Sequence, residues 1–137
     1  MRPLLPGWAA AEHGDIVIGW LTRIIVVLAL FGVVAFDGIS VAAGAVGAAD
    51  DAGTAAVAAR DAWAQSHDLQ KAYDAAVSSL SDKPDDSIPT SSFSIDPTGT
   101  VTLKVRRETT TLLMRHIGPL RHLTVVVESG SASPSDN

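Results

Sequence analysis

The chain has 137 residues, a formal net charge of −5, no cysteine, and a hydrophobic fraction of 47% that includes few aromatic residues. Without cysteine it cannot form disulfides, thiolate metal sites or cysteine nucleophiles. Nine of the 15 acidic residues fall within 50–100, and the basic groups near the C-terminus are too few for a nucleic-acid interface. We therefore expect no nucleic-acid partner, and a small folded part packed mainly by Ala and Val.

An apolar stretch near the N-terminus has the length of a membrane span. Residues 16–36 carry one charged group, Arg23, and about 20 residues suffice to cross the hydrocarbon core. A cleaved signal sequence or a buried core helix is an alternative explanation of the shorter uncharged run 24–36. We expect a leader-like segment at 1–14, a transmembrane anchor helix at 15–43 and a single-pass chain in the cytoplasmic membrane.

The charges around this stretch predict its orientation. Arg2 and Arg23 precede the span's end, and the next basic residue is Arg60, so the positive-inside rule places the N-terminus in the cytoplasm and the C-terminal domain outside. Arg23 can extend toward the headgroups. Asp37 either marks the opposite interface or makes a polar contact with a neighbouring membrane helix.

A helix is expected to continue beyond the membrane. Proline is absent between Pro6 and Pro84, and apolar residues recur at three- and four-residue spacing as far as Leu80. This pattern predicts an alanine-rich helical extension at 44–82, in two sections, with a bend near the membrane exit where glycines are frequent.

Small residues on this helix predict close helix packing. Gly38 with Ala42, and Gly44 with Ala48, are four residues apart and let a second helix approach closely. We expect this proximal part to contact the helices of other membrane proteins. The larger side chains further along, Trp63 among them, are expected to pack on the protein's own C-terminal region.

The C-terminal region changes to a strand pattern. Phe93 and Ile95 alternate with polar residues, a turn follows at 96–99, and residues 101–106 alternate again, which predicts a β-hairpin. "TLLMRHIGPL" predicts a short amphipathic helix ended by Gly118 and Pro119, and "HLTVVVESGSA" predicts a last strand. A flexible tail is expected at 131–137, with fraying from Ser129 onward.

The predicted fold class is therefore α+β and membrane-anchored. A long N-terminal helix, transmembrane and then extended, would pack against a small three-stranded antiparallel β-unit at 90–130. Within this unit, Leu112, Leu113 and Ile117 are too apolar for a solvated loop. We expect segment 111–122 to pack on the protein's own helix near Trp63 and Tyr73. The alternative is that it rests on the membrane surface or on a partner.

This order of parts resembles the TadE and TadG group of Tad-pilus minor pilins and pseudopilins. The resemblance lies in a leader ending at Gly14, an anchor closing with Asp37-Gly38, the alanine-rich run 48–59, and a C-terminal β-unit with a "TLLMRHIG" loop. It implies that a prepilin peptidase cuts after Gly14 and leaves Asp15 at the new N-terminus. Where the family has a glutamate five residues after the cut, this chain has Gly19.

Catalytic motifs are not evident. His116 and His122 match no standard zinc spacing, and the adjacent pairs 50–51 and 85–86 do not form an acid–base dyad. We expect no catalytic residue, cofactor or metal. The predicted function is a structural component of a pilus or secretion assembly, with pilin-like subunits, other membrane helices and the lipid bilayer as partners. The alternative is a single-pass accessory subunit that stabilises an unrelated membrane complex.

Overall fold

The structure is a computed structural model that describes residues 12–134, with side chains from residue 17 onward. Most of the predicted leader-like segment 1–14, up to residue 11, lies outside the described residues, and so do tail residues 135–137. The chain divides into two compact units, the first ending at Ala35 and the second beginning at Phe36.

The first unit is helical and apolar on its surface. Helix α1 spans Glu12–Ser66, and within the first unit its large apolar side chains are exposed on every side. They are Val17, Ile18, Trp20, Leu21, Ile25, Val26, Val27, Leu28, Leu30, Phe31 and Val34. Among the described residues, α1 is the one helix long and apolar enough to cross a membrane, a test that signal sequences and some buried helices also meet.

The second unit begins with the rest of α1, whose alanines enter the core. Ala48, Ala52, Ala55, Ala56 and Ala59 are fully buried, at the three- and four-residue spacing of one helix face. The expected long helix is thus present, and its small side chains let neighbouring elements pack closely on it.

The helix breaks later than the sequence suggested. His67 has a positive φ of 49°, and the Asp68 side chain then caps α2 (Leu69–Ser78) by accepting the N–H groups of Gln70 and Lys71 at 2.9 and 3.2 Å. The two helical sections expected in this part of the chain are thus present. Glycines allow a bend near the membrane exit, but the break between the sections lies where Asp68 starts a new helix.

A small antiparallel sheet covers the alanine face. It consists of β1 (Asp86–Ser87), β2 (Ser94–Ile95), β3 (Val101–Glu108) and β4 (Val125–Ala132). Strand β3 pairs with the other three, and β4 follows it along its whole length. Both short strands therefore share the remaining edge of β3. The sheet has four strands rather than the predicted three, although it is only three strands wide.

The predicted hairpin is present. Ser94 pairs with Thr102 and Ile95 with Val101, and Gly99 in the turn has a φ of 85° that favours glycine. Asp96 Oδ1 accepts the N–H groups of Thr98 and Thr100 in this turn. Alternation along β3 is also as predicted, since Val101, Leu103 and Val105 are buried while the residues between them face outward.

Helix and sheet approach each other most closely at Gly130. A Cβ atom at this position would lie 2.1 Å from the carbonyl oxygen of Ala52 in α1. Gly130 also pairs with Leu103 in the sheet, so its backbone is held from both sides. Only glycine fits between these two backbones.

Two predictions about the C-terminal part are wrong. Segment 111–122 contains 3₁₀ helices at Met114–His116 and Gly118–Thr124, not an α-helix, and Pro119 lies at the start of the second. The extended Ile117, with a φ of −101° and a ψ of 110°, separates the two 3₁₀ helices, and proline, which lacks an N–H donor, is tolerated in the first turn of the second. The tail predicted from 131 overlaps β4, because Gly130 and Ala132 are buried against the core.

Candidate functional site

The carboxylate of Asp37 lies at the centre of the first candidate site. This side chain is fully buried, and it accepts three consecutive backbone N–H groups. Oδ1 accepts from Leu112 at 2.6 Å, and Oδ2 accepts from Leu113 at 2.8 Å and from Met114 at 2.9 Å. Neither sequence interpretation of Asp37, as a boundary marker or as a contact to another helix, named this partner.

This contact fixes the start of a loop. Charge-assisted hydrogen bonds to a carboxylate are stronger than neutral ones, and three of them hold the backbone that enters the 3₁₀ helix Met114–His116. At the other end, the N–H and Oγ1 of Thr109 both donate to the carbonyl of Thr124 at 2.8 Å. Residues 112–123, called the basic loop below, are thus held at both ends.

Thr111 lies directly before the basic loop and is almost completely buried, with 1% of its surface exposed. Within the described part of the chain, its hydroxyl has no hydrogen-bond partner. Burying an unpaired hydroxyl costs about 1–3 kcal/mol. The entry to the basic loop is therefore closely packed but carries an energetic cost.

A second cluster of charged side chains joins α1 to the sheet. Arg107 in β3 donates Nε to Asp86 Oδ1 at 2.5 Å and Nη2 to Asp86 Oδ2 at 2.7 Å. The same Nη2 group pairs with Asp51 of α1, whose other oxygen pairs with Lys83. Both carboxylates are at least nine-tenths buried, so this network replaces water around them.

The network changes the protonation of its members. Burial by itself raises the pKa of Asp51, but hydrogen bonding to Lys83 and the charge of Arg107 outweigh burial and lower this pKa below its usual value. Hydrogen bonding to Asp51 raises the pKa of Lys83, and hydrogen bonding to Asp86 raises the pKa of Arg107. Asp51, Lys83 and Arg107 therefore stay charged near neutral pH, which suits a stabilising ion network rather than an acid–base pair.

Two helix glycines make room for this network. A Cβ at Gly47 would lie 2.0 Å from Arg107 Nη1, and a Cβ at Gly44 would lie 2.3 Å from Thr109 Cγ2. The fully buried Ala48 lies on the same part of α1. The expectation that Gly44 and Ala48 contact other membrane helices is thus wrong: this face already holds the protein's own sheet.

The opposite face of α1 stays open. Gly38 and Ala42 are exposed, as are Val46 and Ala49, and a Cβ at Gly53 would meet no atom within 4 Å. Gly38 and Ala42 therefore keep the predicted ability to contact another helix. Arg23 is exposed in the first unit, and Gly14 and Asp15 lie within α1 before the first described side chain.

The expected packing of segment 111–122 is wrong. The backbone N–H groups of Leu112 and Leu113 bind Asp37. Asp37 is 26 residues before Trp63, which is about 39 Å along α1 at 1.5 Å per residue. Leu112 and Ile117 are exposed rather than packed on the distal helix.

The distal aromatic residues have other partners. Trp63 stacks at a tilt with His67, at 5.6 Å between ring centroids. Tyr73 donates its hydroxyl to the carbonyl of Ile88 at 2.8 Å and meets the ring of Phe93 edge-on. Both aromatic side chains pack against the core, as predicted for the distal helix.

Sequence reasoning missed both clusters. Asp50-Asp51 and Asp85-Asp86 were weighed only as acid–base pairs, although Lys83 beside Asp85-Asp86 and the paired arginines 106–107 in a strand were signals of an ion network. Among the described residues, no group of three His, Asp or Glu side chains could hold a metal ion. Both clusters connect distant parts of the second unit, and their geometry supports a structural role.

Comparison with known proteins identified no relative of this chain. No family model matches it, and neither does any curated protein or solved structure.

Proposed function

We propose that this chain is a single-pass membrane protein that acts as a non-enzymatic structural component of a bacterial cell-envelope pilus or secretion assembly, in the manner of a TadE/TadG-like pseudopilin. One observation carries the proposal. The first unit exposes large apolar side chains on every side, and the same helix then supplies the core of a small α+β domain. A helix that is apolar all round needs lipid or protein to cover it.

The proposed topology follows from the charges. Arg2 and Arg23 are the basic residues closest to the span, and the positive-inside rule assigns their side to the cytoplasm. The domain after Phe36 is then extracytoplasmic. The resemblance to TadE and TadG is one of composition and order of parts, and it supplies the expectation of cleavage after Gly14.

An assembly contact is available on α1. Gly38, Ala42, Val46 and Ala49 form an exposed strip of small and apolar residues at three- and four-residue spacing. The protein's own sheet occupies the Gly44 side of this helix. The strip is therefore the surface that another helix can approach closely, as subunits of a helical assembly do.

Two measurements test this proposal. First, membranes from cells that produce the chain are washed with alkaline carbonate, which removes peripheral proteins. The chain should remain in the pellet until detergent is added. Second, the intact mass of the extracted protein is determined. Cleavage after Gly14 removes 14 residues and lowers the mass of this 14.2 kDa chain by about 1.5 kDa. Release by carbonate would contradict membrane anchoring.

A second candidate function rests on Gly19. This residue occupies the position at which the resemblance calls for a glutamate, the group that would neutralise a neighbouring subunit's terminal amine. A chain without that glutamate fits an accessory subunit that packs beside an unrelated membrane complex through the same exposed strip. An uncleaved N-terminus in the mass measurement, together with carbonate-resistant membrane association, would favour this second function.

A further inference from the structure

The basic loop combines exposed apolar and cationic side chains. Leu112, Ile117 and Leu123 are 51%, 39% and 42% exposed, which is unusual for three large apolar residues in one short loop. Four exposed basic or titratable side chains alternate with them: Arg115, His116, Arg121 and His122. No acidic residue occurs between Glu108 and Glu128. The loop thus combines exposed apolar side chains with positive charge and contains no negative charge.

Hydrogen bonds to Asp37 hold the basic loop in its place in the fold. Three backbone N–H groups of the loop bind the Asp37 carboxylate, so the loop cannot move away from this residue without breaking them. Asp37 is the second residue after Ala35, which ends the first unit, and the exposed apolar residues of that unit begin at Val17. The residue that holds the basic loop therefore follows the apolar first unit closely in the chain.

The distribution of charge favours an anionic lipid surface as the partner of the basic loop. Residues 50–100 carry nine acidic and three basic groups, whereas residues 109–127 carry two arginines, two histidines and no acid. An anionic lipid surface attracts the basic loop and repels the acidic remainder. Exposed Leu and Ile side chains beside Arg and His are also the composition of interfacial segments that insert shallowly into headgroups.

A cleft beside the loop adds hydrogen-bond donors of the right kind. Arg115, His116 and Arg121 line it together with the exposed Thr110, and two acids, Asp85 and Glu108, line it as well. Guanidinium groups and hydroxyls are the usual donors to a phosphate group. The cleft therefore offers a place for a lipid phosphate at the base of the loop.

We propose that the basic loop is a membrane-contacting surface, in which Leu112, Ile117 and Leu123 enter the headgroup region of the bilayer while Arg115 and Arg121 bind anionic lipid phosphates. The inference rests on the membrane anchoring in the proposed function. It adds a second lipid contact, which begins 75 residues after Asp37 in the chain.

The experiment measures the depth of single labels in lipid vesicles. Because the chain has no cysteine, one substitution at a time introduces a unique site for a fluorophore. Full-length variants Ile117→Cys and Leu123→Cys are reconstituted into vesicles of phosphatidylcholine alone, or mixed with phosphatidylglycerol. Val77→Cys in α2 is the matched control, because Val77 is 44% exposed and Leu123 is 42% exposed. Val26→Cys reports on the anchor.

The expected result is a difference in quenching. A nitroxide carried on the lipid should quench labels at 117 and 123 at least about twofold more than the label at 77, and more strongly in the anionic vesicles. Arg115→Gln combined with Arg121→Gln should remove the gain from phosphatidylglycerol, since it removes the two fixed positive charges while leaving the apolar residues in place.

The outcomes separate this inference from the proposed function. Lipid quenching at 26 without quenching at 117 and 123 would overturn the membrane contact and leave the anchor intact. Quenching at 117 and 123 without quenching at 26 would support the contact and overturn the anchor. Labels at 117 and 123 that neither the lipid quencher nor a water-soluble quencher reaches would assign the loop to a second copy of the chain and overturn the proposal. Equal quenching in both vesicle types would overturn the role of anionic lipid.

Discussion

Asp37 and Leu113 are 76 positions apart in the chain, and the carboxylate of the first accepts the backbone N–H of the second at 2.8 Å. The neighbouring N–H groups of Leu112 and Met114 bind the same carboxylate. A residue that the sequence places at the end of an apolar run thus organises a loop from the C-terminal third of the protein. The charge is retained in a buried position because three donors surround it.

Replacing this carboxylate should release the loop. Asp37→Asn keeps the size of the side chain but replaces one acceptor oxygen with an NH2 donor that faces backbone N–H groups. We expect the amides of Leu112, Leu113 and Met114 to exchange with solvent at least about tenfold faster, because charge-assisted bonds are lost. Hydrogen exchange by mass spectrometry on the full chain in detergent measures this.

The exposed Asp50 provides the control for this substitution, since Asp50→Asn changes the same charge on the same helix without touching the loop. It should leave exchange at residues 112–114 unchanged. Equal exchange in the Asp37→Asn variant and the parent protein would show that the carboxylate does not hold the loop.

Much of the fold could be predicted from local pattern. The alternation of Val101, Leu103 and Val105 and the turn residues 96–99 predicted the hairpin, because strand period and turn chemistry act over a few residues. The long helix followed from the absence of proline and the spacing of its alanines. These signals need no knowledge of what the segment packs against.

The errors concern partners that are distant in the chain. Gly44 was assigned to helix–helix packing because small residues permit close approach by any backbone or side chain, and sequence alone does not say which. Arg107 and Thr109 of the protein's own sheet fill that space. The hydrogen bonds of Asp37 were missed for the same reason, since one aspartate carries no indication of a partner 75 residues away.

Glycine substitutions distinguish filled from open helix faces. Gly130→Ala places a methyl group against the Ala52 carbonyl, which is backbone and cannot move aside, so we expect a loss of about 2 kcal/mol or more in stability. Gly53→Ala meets no atom within 4 Å and removes a helix-weakening glycine, so we expect a gain of up to about 1 kcal/mol.

Denaturant midpoints of the two variants, measured in the same detergent, make this comparison. A Gly130→Ala protein as stable as the parent would mean that β4 does not lie against α1 at Ala52. A destabilised Gly53→Ala protein would mean that the open face is covered in the isolated chain.

The ion network predicts a specific dependence on pH. The pKa of Asp51 is lowered from its usual 3.8, so its ionised form stabilises the folded state above about pH 4, and this contribution is lost as pH falls through the still lower folded pKa. Asp51→Asn should therefore lower the denaturant midpoint at neutral pH, and the difference from the parent should shrink toward about pH 3.

Asp50→Asn is again the matched control and should follow the parent protein at every pH, because Asp50 lies outside the network. If the deficit of Asp51→Asn stayed constant from neutral to acid pH, the ionised carboxylate would not be the source of the stability. Lys83→Met should also lower the denaturant midpoint at neutral pH, because the buried carboxylate of Asp51 then has one positively charged partner fewer.

The proposal that the chain joins an assembly through the exposed strip of α1 is tested most directly by photo-cross-linking in cells. A benzophenone amino acid replaces Val46, which is 74% exposed and lies between Ala42 and Ala49 on that strip, with Val77 in α2 as the control position. The account predicts adducts from position 46 in which this chain is joined to a second copy of itself or to another membrane subunit, and none from position 77. An absence of adducts from position 46, or equal adduct formation from position 77, would contradict it.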